Sequence, residues 1–197
     1  MIGSNIGILL ALLFPLTAPI VAQEMETPIQ VKIRTELGDV LVELYPDRAP
    51  NTVANFLQYV DGEFFDGGTF HRTVHADNQP TDSIRIAVIQ GDISSDRSGD
   101  RFGAIALERT NQTGLKHLNG SVSMARSGPD TARSSFFICL GDQPELDYGG
   151  RRNPDGQGFA AFGLVLEGME VVRAVHRSTA DGQSLTPPIR ILGIERL

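Results

Sequence analysis

Ile29, Val31 and Ile33 alternate with Gln30, Lys32 and Arg34, and after Leu37-Gly38-Asp39 the alternation resumes in Val40, Val42 and Leu44. Successive side chains of a strand point to opposite faces, so this period of two around a Gly-Asp turn predicts a β-hairpin with one buried face. Short apolar runs then recur between Gly, Asp, Ser and Pro clusters. They are TFHRTV from Thr69, IRIAVIQ from Ile84, SVSMA from Ser121, SFFICL from Ser135 and AAFGLV from Ala160, with a last alternating strand around Ile189, Ile191 and Ile194. Only two segments carry helical spacing. In APNTVANFLQYVDG, Pro50 suits a first helical position, Val53, Phe56, Leu57 and Val60 share a face, and Gly62 supplies a stop. The second runs roughly from Gly168 to His176. Eight strands with two helices predict a mainly β chain, a closed antiparallel barrel in preference to a doubly wound sheet, because closure removes exposed strand edges.

The amino-terminal stretch stands apart from this pattern. Residues 6–22 read IGILLALLFPLTAPIVA without a charge, and the apolar core from Ile6 to Phe14 is too short for a span of ~20 residues but suits the h-region of a signal peptide. Pro15 and Pro19 interrupt any helix before Ala22-Gln23. The expected organisation is a signal peptide over 1–22, or an uncleaved amino-terminal anchor, then a short linker over 23–28 and one domain over 29–197. The product is then periplasmic or secreted. Lys and Arg number 17 against 24 Asp and Glu, a formal net charge of -7, and no basic run compensates. Phosphate backbones are repelled by such a balance, so no nucleic-acid partner is expected. The lone Cys139 lies in an apolar run, which predicts a small buried hydrophobe instead of a reactive thiol.

Motifs for common chemistries are missing. His71 and His75 have the spacing of a helical zinc pair, but on a strand four residues span about 13 Å, so no metal is expected there. His117 and His176 show no carboxylate or serine partner at a recognisable spacing, and there is no G-x-S-x-G, Walker loop or C-x-x-C. The stretch GGRRNPDGQG at 149–158 precedes no helix, so a turn-rich loop is expected instead of a phosphate cradle. A reaction that needs no nucleophile, metal or cofactor fits this inventory.

The run ELYPDRAPNTVANFLQYVDGEFFDGGTFHR at 43–72 resembles the opening of the cyclophilins, a family of peptidyl-prolyl isomerases. VIQGD at 88–92, NGSVSMARSGPDTARSSFFI at 119–138, LDYGG at 146–150 and FAAFGLVLEGMEVV at 159–172 follow in the family's order. The resemblance implies a closed eight-stranded antiparallel β-barrel capped by two α-helices. It also implies a reaction without cofactor: rotation about the bond before proline, whose barrier of ~18–20 kcal/mol arises from partial double-bond character. Proline-containing segments of unfolded or exported proteins would be the partners, and the protein would be a monomer. By the same resemblance Arg72 is the catalytic arginine, Gln90 orients it or the substrate carbonyl, and Ala125 with Arg126 present backbone groups. Phe137, Leu146 and Phe159 line the proline slot.

Departures from the family pattern bear on activity. The 17 residues from Thr73 to Ile89 are longer than the family's connection, and Ala87 and Val88 stand where a Phe-Met pair grips proline. Ser135 replaces a common glutamine, and Glu145 stands at a position often occupied by tryptophan or phenylalanine. Where that tryptophan is present it donates to cyclosporin, so weak or no cyclosporin binding is expected. An alternative reading is a cyclophilin-like module that binds proline segments with little or no catalysis. A side chain from the lengthened stretch packed beside Arg72 would favour the enzyme.

Overall fold

The computed structural model describes Gly3 and residues 28–197; the expected signal peptide and most of the linker lie outside the described residues. Strand β1 (Ile29–Thr35) pairs antiparallel with β2 (Gly38–Leu44), from Ile29 opposite Leu44 to Thr35 opposite Gly38. The hairpin turn is held by the Thr35 hydroxyl donating to the Gly38 carbonyl over 2.7 Å. Gly38 has φ of +129°, and a Cβ there would meet Val171 at 2.9 Å, so the turn needs glycine on both counts. Val31, Ile33, Val40, Val42 and Leu44 are all buried, as the alternation requires.

The remaining strands are β3 (Thr69–Val74), β4 (Val88–Asp92), β5 (Ser121–Met124), β6 (Phe136–Cys139), β7 (Ala160–Glu167), the two-residue β8 (Ala180–Asp181) and β9 (Ser184–Arg196). Neighbours run in the order β1-β2-β7-β5-β6-β4-β3-β9, every pair antiparallel, and a β1–β9 pairing closes the ring. Eight strands therefore form the expected barrel, and β8 is a short appendage on β9. The strand expected from Ile84 starts only at Val88. In its first half, the buried Gln79 amide replaces a partner strand: Nε2 donates to the Ile86 carbonyl at 2.8 Å, and Oε1 accepts from the Ile86 N–H at 3.2 Å.

Helices α1 (Pro50–Asp61) and α3 (Met169–His176) are the two expected, and a single turn, α2 (Thr110–Thr113), is added to them. Ala49 cannot cap α1 with a side chain, and the cap comes from a distant loop instead. Glu108 accepts from the backbone N–H groups of Asn51 and Thr52 at 3.0 and 2.8 Å, placing a carboxylate at the positive helix end. The apolar face of α1 then inserts Phe56 among Phe65, Phe136 and Phe162, with ring centroids 5.3, 5.6 and 5.1 Å away.

The pleat gives the sheet two uses. On β6, Phe136 and Ile138 join the main core, whereas Phe137 and Cys139 join a smaller cluster with Val74, Ile86, Val88 and Leu146. Alternation along β4 sends Ile89 to the main core and Val88 to the second cluster, whereas on β3 a bulge between Phe70 and Arg72 switches faces, so that Phe70 joins the main core and Val74 the second cluster. Cys139 is buried there, and burial pushes its thiol up, so it is inert as the sequence predicts.

Phe56 touches three other rings of the core, so Phe56→Ala should lower unfolding free energy by about 3–5 kcal/mol through lost burial and a residual cavity. Urea denaturation measures this directly, and a loss under about 1 kcal/mol would contradict the described packing.

Candidate functional site

Against the second cluster lies a cavity of about 230 Å³ lined by residues of β3, β4 and β6 and of three loops. Every site residue expected from the sequence borders it: Arg72, Gln90, Ala125, Arg126, Phe137, Leu146 and Phe159. Phe137 and Phe159 meet edge to face with centroids 5.3 Å apart, making an apolar corner over the buried Leu146. That corner depends on a glycine. Gly158 has φ of +67°, and a Cβ there would lie 2.7 Å from the Leu146 carbonyl oxygen, so only glycine lets Phe159 donate its backbone N–H to that oxygen at 2.9 Å.

Arg72 forms the polar wall. Its Nη1 donates to Gln90 Oε1 at 2.9 Å, while Nε and Nη2 both donate to Gln183 Oε1 at 2.9 and 2.6 Å. Gln90 is itself fixed, because its Nε2 donates to the Ser135 hydroxyl at 2.9 Å. The serine that replaces a family glutamine thus aims the Gln90 oxygen at the guanidinium. Burial, and after it the charge of Arg152, lower the pKa of Arg72, with Asp82 opposing. A guanidinium stays charged under such a shift.

The other pocket arginines are tied down. Arg126 forks onto Asp155 at 2.8 and 2.9 Å and donates Nε to the Gly158 carbonyl at 2.7 Å. Its side chain is almost wholly buried, so it braces the loop carrying Phe159 and is not a free charge for the substrate. Arg152 pairs with Asp82 at 3.1 Å and donates to the Ile84 carbonyl at 2.7 Å, stitching the 149–158 loop to the lengthened connection.

Ile86 answers the question posed by that connection. It is buried, packs with Val88, Phe137 and Leu146, and lines the cavity together with Arg72. An apolar side chain from the stretch 73–89 therefore stands where the family's bulky pair is missing. Glu145 is not among the lining residues; it pairs with Arg151 at 2.8 Å, and that bond holds its carboxyl below the usual range.

Residues 30–196 match the family model "Cyclophilin type peptidyl-prolyl cis-trans isomerase/CLD". The chain belongs to the cyclophilin-type peptidyl-prolyl cis-trans isomerases. A peptidyl-prolyl cis-trans isomerase of Acinetobacter baylyi is 31% identical over 171 residues, covering 84% of each chain. Peptidyl-prolyl cis-trans isomerase B of Escherichia coli is 30% identical over 155 residues, covering 78% of this chain and 87% of that one. The fold matches a solved cyclophilin-type isomerase of Cryptosporidium parvum with a TM-score of 0.70 and 23% identity, over 87% of this chain and 98% of that one. The chain is accordingly a peptidyl-prolyl cis-trans isomerase, EC 5.2.1.8.

One expectation is corrected. His117 does have partners: Nδ1 lies 2.8 Å from Asp147 and Nε2 lies 3.0 Å from the Ser123 hydroxyl. Their separations of 30 and 6 residues hid the arrangement in the sequence. Ser123 is fully buried, so the three do not form a nucleophile open to substrate. His117 instead stacks on Phe137 with centroids 5.9 Å apart and planes at 13°, supporting the slot from behind.

Sequence reasoning missed Ile86, Arg152 and Gln183. The alternation of Ile84, Ile86 and Val88 was a usable signal for the first, whereas Gln183 sits in a polar turn that no pattern singles out. If Ile86 walls the slot, Ile86→Ala should raise KM for a proline tetrapeptide about tenfold while changing kcat little, in line with an apolar contact worth ~1–3 kcal/mol. Equal KM in both proteins would exclude Ile86 from the wall.

Proposed function

We propose that this cyclophilin accelerates cis-trans isomerisation of X-Pro bonds in exported polypeptides, holding the proline ring in the Phe137–Leu146–Phe159–Ile86 corner while Arg72 donates to the twisted amide. As the C–N bond rotates out of conjugation, the proline nitrogen regains its lone pair and becomes an acceptor. A guanidinium aimed at that nitrogen bonds the twisted state more strongly than the planar one, which is the condition for acceleration. Each ~1.4 kcal/mol of that difference is worth tenfold in rate. No bond is broken and no proton is transferred, so the slot requires neither nucleophile nor metal.

The observation that carries this reading is the three-bond arrangement around Arg72, set beside an apolar corner of a size suited to a ring. The related Cryptosporidium parvum enzyme has been solved in the presence of the dipeptide Ala-Pro, which supports a proline-containing peptide as the substrate class. Backbone groups of Ala125 and Arg126 at the cavity edge are assigned to the residue before proline. The alternative, a binding module without catalysis, rested on Ala87, Val88, Ser135 and Glu145. Ile86 beside the slot, Ser135 bonded to Gln90, and Glu145 turned to Arg151 all favour the enzyme. Export, to a periplasm or the exterior, is proposed from the uncharged stretch 6–22 with its two prolines.

Purified protein spanning residues 29–197 should speed cis-to-trans conversion of a proline tetrapeptide, and Arg72→Ala should remove at least about 90% of that acceleration, the loss of ~1.4 kcal/mol or more of differential stabilisation. An unchanged rate in the variant rejects the arginine role. Cyclosporin should bind weakly, because Glu145 offers an acceptor at the position that would donate. Tight binding by titration calorimetry would refute that placement of Glu145.

A further inference from the structure

The lengthened connection after β3 does more than supply Ile86. Its first turn, a 3-10 segment at Ala76–Asn78, is hydrogen-bonded to the β8–β9 hairpin through Asn78. Asn78 uses every polar group of its side chain: Oδ1 accepts from the His75 N–H at 2.9 Å, and Nδ2 donates to the carbonyls of Thr73 and Gly182, each at 3.0 Å. Its own backbone carbonyl accepts from Gln183 Nε2 at 3.1 Å. The backbone of Gln183 is fixed as well, its carbonyl accepting from the Thr73 N–H at 2.9 Å. With the nitrogen of the Gln183 amide spoken for, its oxygen is left pointing at Arg72, where it accepts from both Nε and Nη2.

We propose that Gln183 is a positioning residue for the isomerase, held by the Asn78 turn so that its amide oxygen fixes the rotamer of Arg72 without neutralising its charge. A guanidinium carries five N–H donors in a rigid fork on a flexible stem. Gln183 takes two of them along one edge and Gln90 takes one, which leaves two for the substrate. Both acceptors are neutral amides. A carboxylate in either place would hold the arginine equally well but would weaken its attraction for the developing lone pair. Arg126 and Arg152, which are paired with Asp155 and Asp82, show the braced and quenched arrangement that Arg72 avoids. The lengthened connection thereby serves both walls of the slot: it places Ile86 on the apolar side, and through Asn78 and Gln183 it sets the cation on the polar side.

This inference rests on Arg72 as the group that accelerates rotation, and the test separates the two. Tetrapeptide kinetics and the ¹⁵N–¹H signal of Arg72 Nε are measured for wild type, Arg72→Ala, Gln183→Met, Gln183→Glu, Asn78→Ala and the Gln183→Met/Asn78→Ala double variant. Gln183→Met should lower kcat about tenfold with KM within about twofold, and should broaden or shift the Arg72 Nε signal, because the side chain regains rotamer freedom. Gln183→Glu should keep a sharp Nε signal yet still turn over more slowly. Asn78→Ala should lose about threefold in kcat, and the double variant should be no slower than Gln183→Met, since both act along one path. Wild-type kcat in Gln183→Met, a loss confined to KM, an unmoved Nε signal, or additive losses in the double variant would each overturn the positioning role. Wild-type kcat in Arg72→Ala would instead remove the reading beneath it.

Discussion

Barrel closure by β9 is the constraint on which the rest depends. Its last residues pair with β1 from Val31 opposite Arg196 to Thr35 opposite Ile191, and its earlier residues pair with β3 from Thr69 opposite Arg190 to Arg72 opposite Ser184. One strand therefore satisfies two edges that would otherwise be exposed, and the ring gains an inside and an outside. The inside is a phenylalanine core centred on Phe56, Phe136 and Phe162. The outside of β3, β4 and β6 is free to hold something else. Val88, Gln90 and Phe137 reach one cavity through period two and cross-strand register, β4 lying opposite β6 at Gln90–Phe137. Arg72 joins them opposite Gln90 because the β3 bulge between Phe70 and Arg72 turns it away from the core that holds Phe70.

The cavity is thus built of sheet residues set by register and loop residues set by side-chain bonds. Register needs no local anchor, whereas each loop has one. Arg126 pins the loop carrying Phe159, Arg152 joins that loop to the lengthened connection, Gln79 fastens Ile86, and Asn78 fastens the β8–β9 hairpin. Several of these anchors are long polar side chains reaching backbone carbonyls, a use that satisfies buried polar groups while tying segments distant in sequence.

The strands and the residues they align were legible in the sequence because alternation is a local signal. Val31 to Leu44 gave the first hairpin, and the runs containing Arg72, Gln90 and Phe137 gave the strands of the site. The strand beginning at Ile84 was misplaced by four residues, because a buried glutamine side chain replaced the partner that an alternating pattern implies. The His117 arrangement with Asp147 and Ser123 and the Gln183 contact were invisible for a common reason. Each joins residues whose separation carries no periodicity, from 6 to 111 positions apart. The resemblance to cyclophilins supplied Leu146 and Phe159, whose loop positions no propensity rule would have grouped with Phe137.

Charge distribution gives the last step. A chain with net charge -7 has acidic side chains to spare, and two of the three arginines bordering the cavity have taken one each at about 3 Å. Arg72 has not: its hydrogen-bond partners are the amides of Gln90 and Gln183. An ion pair would have been the easier way to hold a half-buried guanidinium, since opposite charges offset the cost of removing it from water. Holding it with amides leaves that charge without a carboxylate bonded to it, and burial then strengthens its interaction with any lone pair brought into the slot. The arrangement gives up some electrostatic stability at Arg72 in exchange for a cation whose full field is directed at the substrate, which is what a reaction driven only by differential binding of a twisted amide requires.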